Sequence, residues 1–239
     1  MTPNLNLNLN LQIFFTSLPQ KQWTLLRVLR SANPHDINGN LHGTASFTSL
    51  PDTDTSPSSS ITTTPQKSQQ LLYTETGTLP AHIGHNLQWK KSYIWRLSAT
   101  STSPSKDDLS VWFVKVADEK VADYLFHGME FHTDTSTDQG GERDKGDGEG
   151  EEYVSAPVPP AIPSGEGVQT VVVTARGNHL CINDMYRTAY AFRVLKGDGD
   201  GDDGGDGIGE VVSWASRHVV KGPKKDQDIV NYYTVRDAV

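Results

Sequence analysis

The segment "HLCINDMY", residues 179–186, sets an imidazole, a thiol and a carboxylate close together in the chain. On an extended strand, residues two apart share a face, so His179 and Cys181 point the same way. Such a pair could activate a nucleophilic cysteine, because the histidine can accept the thiol proton. The competing reading is inert packing, in which a free cysteine acts as a small buried hydrophobe. His127, His179 and Cys181 also carry donor types that suit zinc, iron or copper. His-x-Cys is not a zinc spacing, however, and no Cys-x-x-Cys supports it, so no metal site is assigned. The cofactor, haem included, stays unknown at this level.

Three carboxylates sit in segments rich in potential ligands: Glu75, Asp184 and Asp226. A buried carboxylate with a raised pKa can serve as acid or base. The alternative is a structural role, either an ion pair with Arg27 or Arg96 or an acceptor for turn backbone. Asp184 falls between two expected strands, where aspartate makes such a turn bond, and Asp226 is read in the same way. Glu75 is open to both readings. In "VKGPKKD" (220–226), Gly222 and Pro223 set a hairpin turn, and Lys224 or Lys225 could guard an opening and attract an anion.

The elements that must position these groups are strands. Apolar residues alternate with a period of two over 41–49, 70–78, 88–99, 109–117, 122–132, 169–182, 185–195, 209–220 and 228–236. A break is expected near Gly177. Ser17 offers an N-cap for a short helical turn ahead of a further strand at Trp23–Arg30. Nine or ten successive strands without a helical pattern between them predict an all-β, antiparallel, up-and-down barrel, since closure removes exposed edges.

Three polar tracts interrupt the pattern: a Ser/Thr/Pro segment at 51–68, an acidic then proline-rich segment at 133–168, and a Gly/Asp run at 197–207. All three read as flexible loops in one domain spanning 12–239, with 1–11 disordered. They also explain the charge. The net charge is -8, yet 133–152 and 197–207 together carry -11, so the rest of the chain is +3. The acidity therefore belongs to the loops, and no basic stripe interleaved with aromatics points to nucleic acid. The Gly/Asp run fails as a calcium loop, because Asp203 and Gly209 stand where that loop needs Gly and Glu. One cysteine allows no internal disulfide, and no apolar run reaches membrane-spanning length. A cytoplasmic protein with no membrane span is the expectation.

Several segments, taken in order, resemble one family: "WTLLR" with Trp23 and Arg27, "GTASF" (43–47), "YTETG" (73–77), "YIWR" (93–96), "DYLFH" (123–127), "HLCINDMY", "VKGPKKD" and "YYTVR" (232–236). They look like the uncharacterised lipocalin-like family numbered 6314 among domains of unknown function, found in fungi and bacteria. The resemblance covers nearly the whole chain outside the three loops. It departs at Gln227, where the family usually has an aromatic. It implies a calycin-type barrel and supplies no reaction. It also implies that Trp23 closes the barrel floor, with Arg236 as the stacking cation, a structural pair.

A barrel of this size is either filled by side chains or holds one small ligand. The leading expectation is a small, partly apolar ligand in the lumen, contacted by His127, His179, Cys181, Glu75, Tyr93, Arg96 and Tyr186. The first rival is an enzyme for proton transfer or isomerisation in the same cavity, with His179 or Glu75 as base. The second is a non-catalytic interaction module whose barrel is filled and whose function lies in the loops. Oligomeric state is left open.

Overall fold

The computed structural model describes residues 9–51, 68–80, 83, 87–98, 108–132, 153–162, 168–196, 208–223 and 225–236. The Ser/Thr tract from 52 to 67, the acidic run 133–152, the Gly/Asp run 197–207, Lys224 and residues 1–8 lie outside them. Ten strands follow one another: β1 (Trp23–Ser31), β2 (Gly39–Leu50), β3 (Ser68–Thr78), β4 (Gln88–Ser98), β5 (Asp108–Lys115), β6 (Asp118–His132), β7 (Thr170–Cys181), β8 (Asp184–Leu195), β9 (Val211–Gly222) and β10 (Lys225–Val235). Each pairs antiparallel with its sequence neighbours, and β1 pairs with β10, which closes an up-and-down barrel. β7 runs unbroken through Gly177, contrary to the expected interruption, because Gly177 keeps its register with Thr188 of β8.

The two ends of the barrel differ. Tight hairpins join β5 to β6, β7 to β8 and β9 to β10 at one end, the mouth. The strand ends that flank all three polar tracts lie at the opposite end, the floor. There a short helix α1 (Leu11–Ser17) and a 3-10 turn (Leu18–Gln20) plug the barrel with Phe14, Phe15 and Leu18, all essentially inaccessible. The Phe14 ring meets Phe192 edge to face at 4.8 Å, and Trp23 meets Trp214 in the same way at 6.3 Å. Burial of each such ring contributes about 1.5–3 kcal/mol.

Ser17 stands at the N-cap of the 3-10 turn ahead of β1, where the sequence predicts a helical turn, but its side chain makes no cap bond there, and α1 is capped by another residue. The cap is Asn10, whose Oδ1 accepts from the backbone N–H groups of Gln12 and Ile13 at 3.1 and 3.0 Å. Ser17 is instead buried at the helix end, donating to the Phe14 carbonyl and accepting from the Val211 N–H. Leu9 to Leu11, expected to be disordered, are ordered by this cap and by the hydrogen bond from Asn10 N–H to the Ile208 carbonyl.

Alternation fixes which side chains enter most of the barrel, and β6 departs from it. In β6 the register slips between Val111 and Trp112 of β5, and this bulge turns the consecutive residues Phe126 and His127 both into the core. Part of the proline-rich tract is docked on the barrel. Tyr153 and residues 155–160 lie along the outer face of β7 to β9, where Arg193 Nε and Ser213 Oγ both donate to the Pro160 carbonyl and Arg217 donates to Ser155 Oγ. Arg176 stacks on the Tyr153 ring at 3.8 Å. This strap runs along the face that carries the small, outward-pointing Ala189, Ala191 and Ala215, each at most 2 % exposed.

Candidate functional site

The interior is organised by two glycines that face each other across β2 and β3, Gly43 and Gly77. A Cβ on Gly43 would collide with the Thr76 carbonyl, and one on Gly77 would lie 2.6 Å from the Trp89 ring. The space they leave lets the Trp89 ring lie against the wall, and the Arg27 guanidinium stacks on it at 4.6 Å. Arg27 thereby reaches Glu75, and the two form a buried ion pair through Nη2 and Oε2.

Glu75 is held from three sides. The Tyr73 and Tyr233 hydroxyls both donate to Oε1, the latter at 2.7 Å. Burial alone would raise the carboxyl pKa, but the Arg27 charge and the two phenols outweigh it and hold the group below the usual carboxylate range. The network continues from Arg27 Nε to Asn231 Oδ1 at 2.7 Å and from Asn231 Nδ2 to Ser216 Oγ at 3.0 Å. His218 then bridges Ser216 and Thr188, each at 3.1 Å. Burial first, then the nearby His127, Lys91 and Arg27, drive the His218 pKa well down, so its ring is neutral.

His127 sits behind the wall of the lumen. Its Nδ1 lies 3.0 Å from the Gly128 carbonyl, which can only accept, so Nδ1 carries the proton and Nε2 accepts from the Tyr190 hydroxyl at 3.0 Å. Burial lowers the His127 pKa to about 4. Gly177 makes room for this ring, since a Cβ there would lie 2.5 Å from Nδ1.

Between the network and the mouth lies a cavity of about 250 Å³. Its walls are Tyr93, Trp95, Phe113, Phe126, Tyr190 and Trp214, and its charged lining is Arg27, Glu75, Lys91 and Lys225. Three donors on this lining have no acceptor among the described residues: the Lys91 ammonium, Arg27 Nη1 and the Tyr93 hydroxyl. Lys91 keeps part of its surface in solvent, and its partial desolvation in the lumen, followed by repulsion from Arg27, lowers its pKa. Lys225 bonds the Tyr186 hydroxyl at 2.8 Å and pairs with Asp184 at 2.8 Å, and those two bonds raise its pKa. Tyr93 is half-buried, and desolvation followed by the Glu75 charge pushes its pKa up to about 12.

Of the residues singled out from sequence, Glu75, Tyr93 and Tyr186 line this cavity. His127 does not, being screened by Tyr190, and His179 packs among Phe113, Phe126 and Tyr186 with its Nε2 buried and unpartnered. Cys181 is half-buried at the β7–β8 hairpin, on the His179 face but off the cavity lining. Arg96 is on the outer face, stacked on Trp112 at 4.5 Å, because its neighbours Tyr93 and Trp95 take the inward positions of β4.

The structural assignments divide similarly. Trp23 is fully buried in the floor. Arg236 does not stack on it: Val235 is the residue opposite Trp23, and the exposed Arg236 bonds Gln22 through its backbone. A one-residue offset puts a side chain on the other face. Asp184 and Gly222 pack together at the mouth, where a Cβ on Gly222 would strike Asp184, and Pro223 lies in the following turn. Asp226 pairs with Lys221, and its carbonyl accepts from the Ala32 N–H.

Sequence reasoning missed Lys91, Ser216, His218, Gln227 and Tyr233 as lining residues. The signal for Lys91 was present, since the Tyr93 and Trp95 parity makes it the inward member of "KK". Among the described residues no three His, Cys, Asp or Glu side chains are placed to hold a metal, and no helix is long and apolar enough to cross a membrane.

Ten antiparallel strands closed around one lumen, plugged at the floor and open at the mouth, define an up-and-down β-barrel protein. The model of the family of unknown function DUF6314 matches residues 20–146 and 166–235, and the chain belongs to that family. The strap at 153–162 falls in the unmatched interval. No curated protein and no solved structure matches the chain.

Proposed function

We propose that this barrel binds a small, partly apolar molecule in its lumen, in the manner of lipocalins. The observation that supports this reading is the open, aromatic-walled cavity whose lining retains donors without acceptors among the described residues. Pockets for small molecules combine apolar walls with a few placed polar groups. Glu75 is a poor candidate for a catalytic base, because three donors occupy it and its pKa is lowered. The lone, half-buried Cys181 suits a reducing compartment, and we place the protein in the cytosol.

Native mass spectrometry of protein purified from its own host, set against the denatured mass, tests the reading. The expected result is a reproducible non-covalent mass excess that disappears in Val220→Trp, which fills the lumen. An excess retained by that variant would place the ligand elsewhere and overturn the proposal.

A further inference from the structure

Four charged side chains line the lumen, and three are cationic. Glu75 compensates Arg27, and Asp184 compensates Lys225. The ring of His218 is neutral. Lys91 is left as the uncompensated charge, facing Glu75 across the β3–β4 ladder yet without an ion pair or hydrogen bond among the described residues. The free hydrogen-bonding capacity named above, at Lys91 Nζ, Arg27 Nη1 and the Tyr93 hydroxyl, is mainly donor capacity, the phenol alone being able to accept as well. A fitting ligand must therefore supply acceptors, and a carboxylate is a pure acceptor with two oxygens.

The same lining sets the rest of the molecule. Tyr93 stacks on Phe126 at 5.9 Å, and Phe113 lies 4.8 Å from Phe126, which gives a continuous aromatic wall beside the cavity. One spare positive charge matches one negative charge. A dianion would bring a second, unmatched charge close to Glu75, and burying an unpaired charge is strongly unfavourable.

Building on the lumen-binding reading, we propose that the ligand is a small organic monoanion, a carboxylate on a compact apolar body, with its carboxylate held between Lys91 and the free edge of Arg27. Lys91 is then a specificity-determining residue, and the aromatic wall supplies affinity that does not depend on charge.

Isothermal titration calorimetry of the full chain with 2-naphthoate and its neutral isostere 2-naphthamide tests this. The naphthoate is expected to bind wild type about tenfold or more tighter than the amide, as a charge-assisted bond implies. Lys91→Met should abolish that difference without weakening the amide, and Lys91→Arg should largely restore it. Equal affinity of wild type for both probes would overturn the charge assignment and leave lumen binding standing. Tighter binding of 2-naphthyl phosphate than of naphthoate would overturn the monoanion assignment. Binding of neither naphthalene probe, with the barrel folded by circular dichroism, would overturn both readings.

Discussion

The Arg27 guanidinium and the Glu75 carboxylate meet inside the barrel with only 5 % and 2 % of their residue surfaces exposed. Removing one partner leaves the other charged and uncompensated. Glu75→Gln is therefore expected to destabilise the fold by about 3 kcal/mol or more, read from urea unfolding midpoints. Arg27→Met combined with Glu75→Leu should lose less than the single variant. A double variant as unstable as Glu75→Gln would show that the polar network, and not the unpaired charge, sets the penalty.

Stability should fall in mild acid. His127 has an ordinary value of 6.5 in the unfolded chain and about 4 in the barrel, so below pH 6.5 the unfolded state takes up a proton that the folded state refuses. The stabilisation is complete above pH 6.5 and is lost as pH falls toward 4, amounting to about 2 kcal/mol between pH 7 and pH 5. His218 acts in the same direction. In His127→Gln, which still offers Tyr190 an acceptor, the stability difference between those two pH values should shrink by that amount.

The floor separates two residues that sequence resemblance joined. Trp23→Ala should cost about 3–5 kcal/mol, since it empties a fully buried site against Trp214. Arg236→Ala should stay within about 0.5 kcal/mol of wild type, because its side chain is exposed and its hydrogen bond to Gln22 is made by the backbone. Thermal melts of the two variants decide the matter.

The strap is expected to contribute stability although it lies outside the matched family segments. Replacing 153–162 with a Gly/Ser segment of equal length removes the bonds to Arg193, Ser213 and Arg217 and the Tyr153 ring from Arg176. A loss of about 1–3 kcal/mol should follow, with faster limited proteolysis. An unchanged melting temperature would show that the strap is only docked.

Strand order, closure and the inward placing of Glu75 and Tyr93 follow from a period of two, which a single sequence displays directly. What that period could not reveal was any departure from it. The β6 bulge turns both Phe126 and His127 inward against alternation, and it comes from pairing with β5. Arg96, expected at the ligand, lies on the outer face, as the parity of Tyr93 and Trp95 requires. Composition misled at 153–162, because proline-rich backbone reads as solvated unless the small residues opposite, Ala189, Ala191 and Ala215, are known to share one face. The α1 cap was hidden in "LNLNLN", where alternation masks the one asparagine that starts a helix.

All three polar tracts join the barrel at its floor, and the cationic lumen opens at the other end. Strands of this length, tilted as barrels require, separate the two ends by roughly 25 Å. At physiological ionic strength the Debye length is about 8 Å, so the field of charges at those junctions decays through some three screening lengths before it reaches the mouth. A protein with a net charge of -8 can thus present an attractive potential to an anion at its entrance. Anion capture should accordingly weaken, not strengthen, as salt is added.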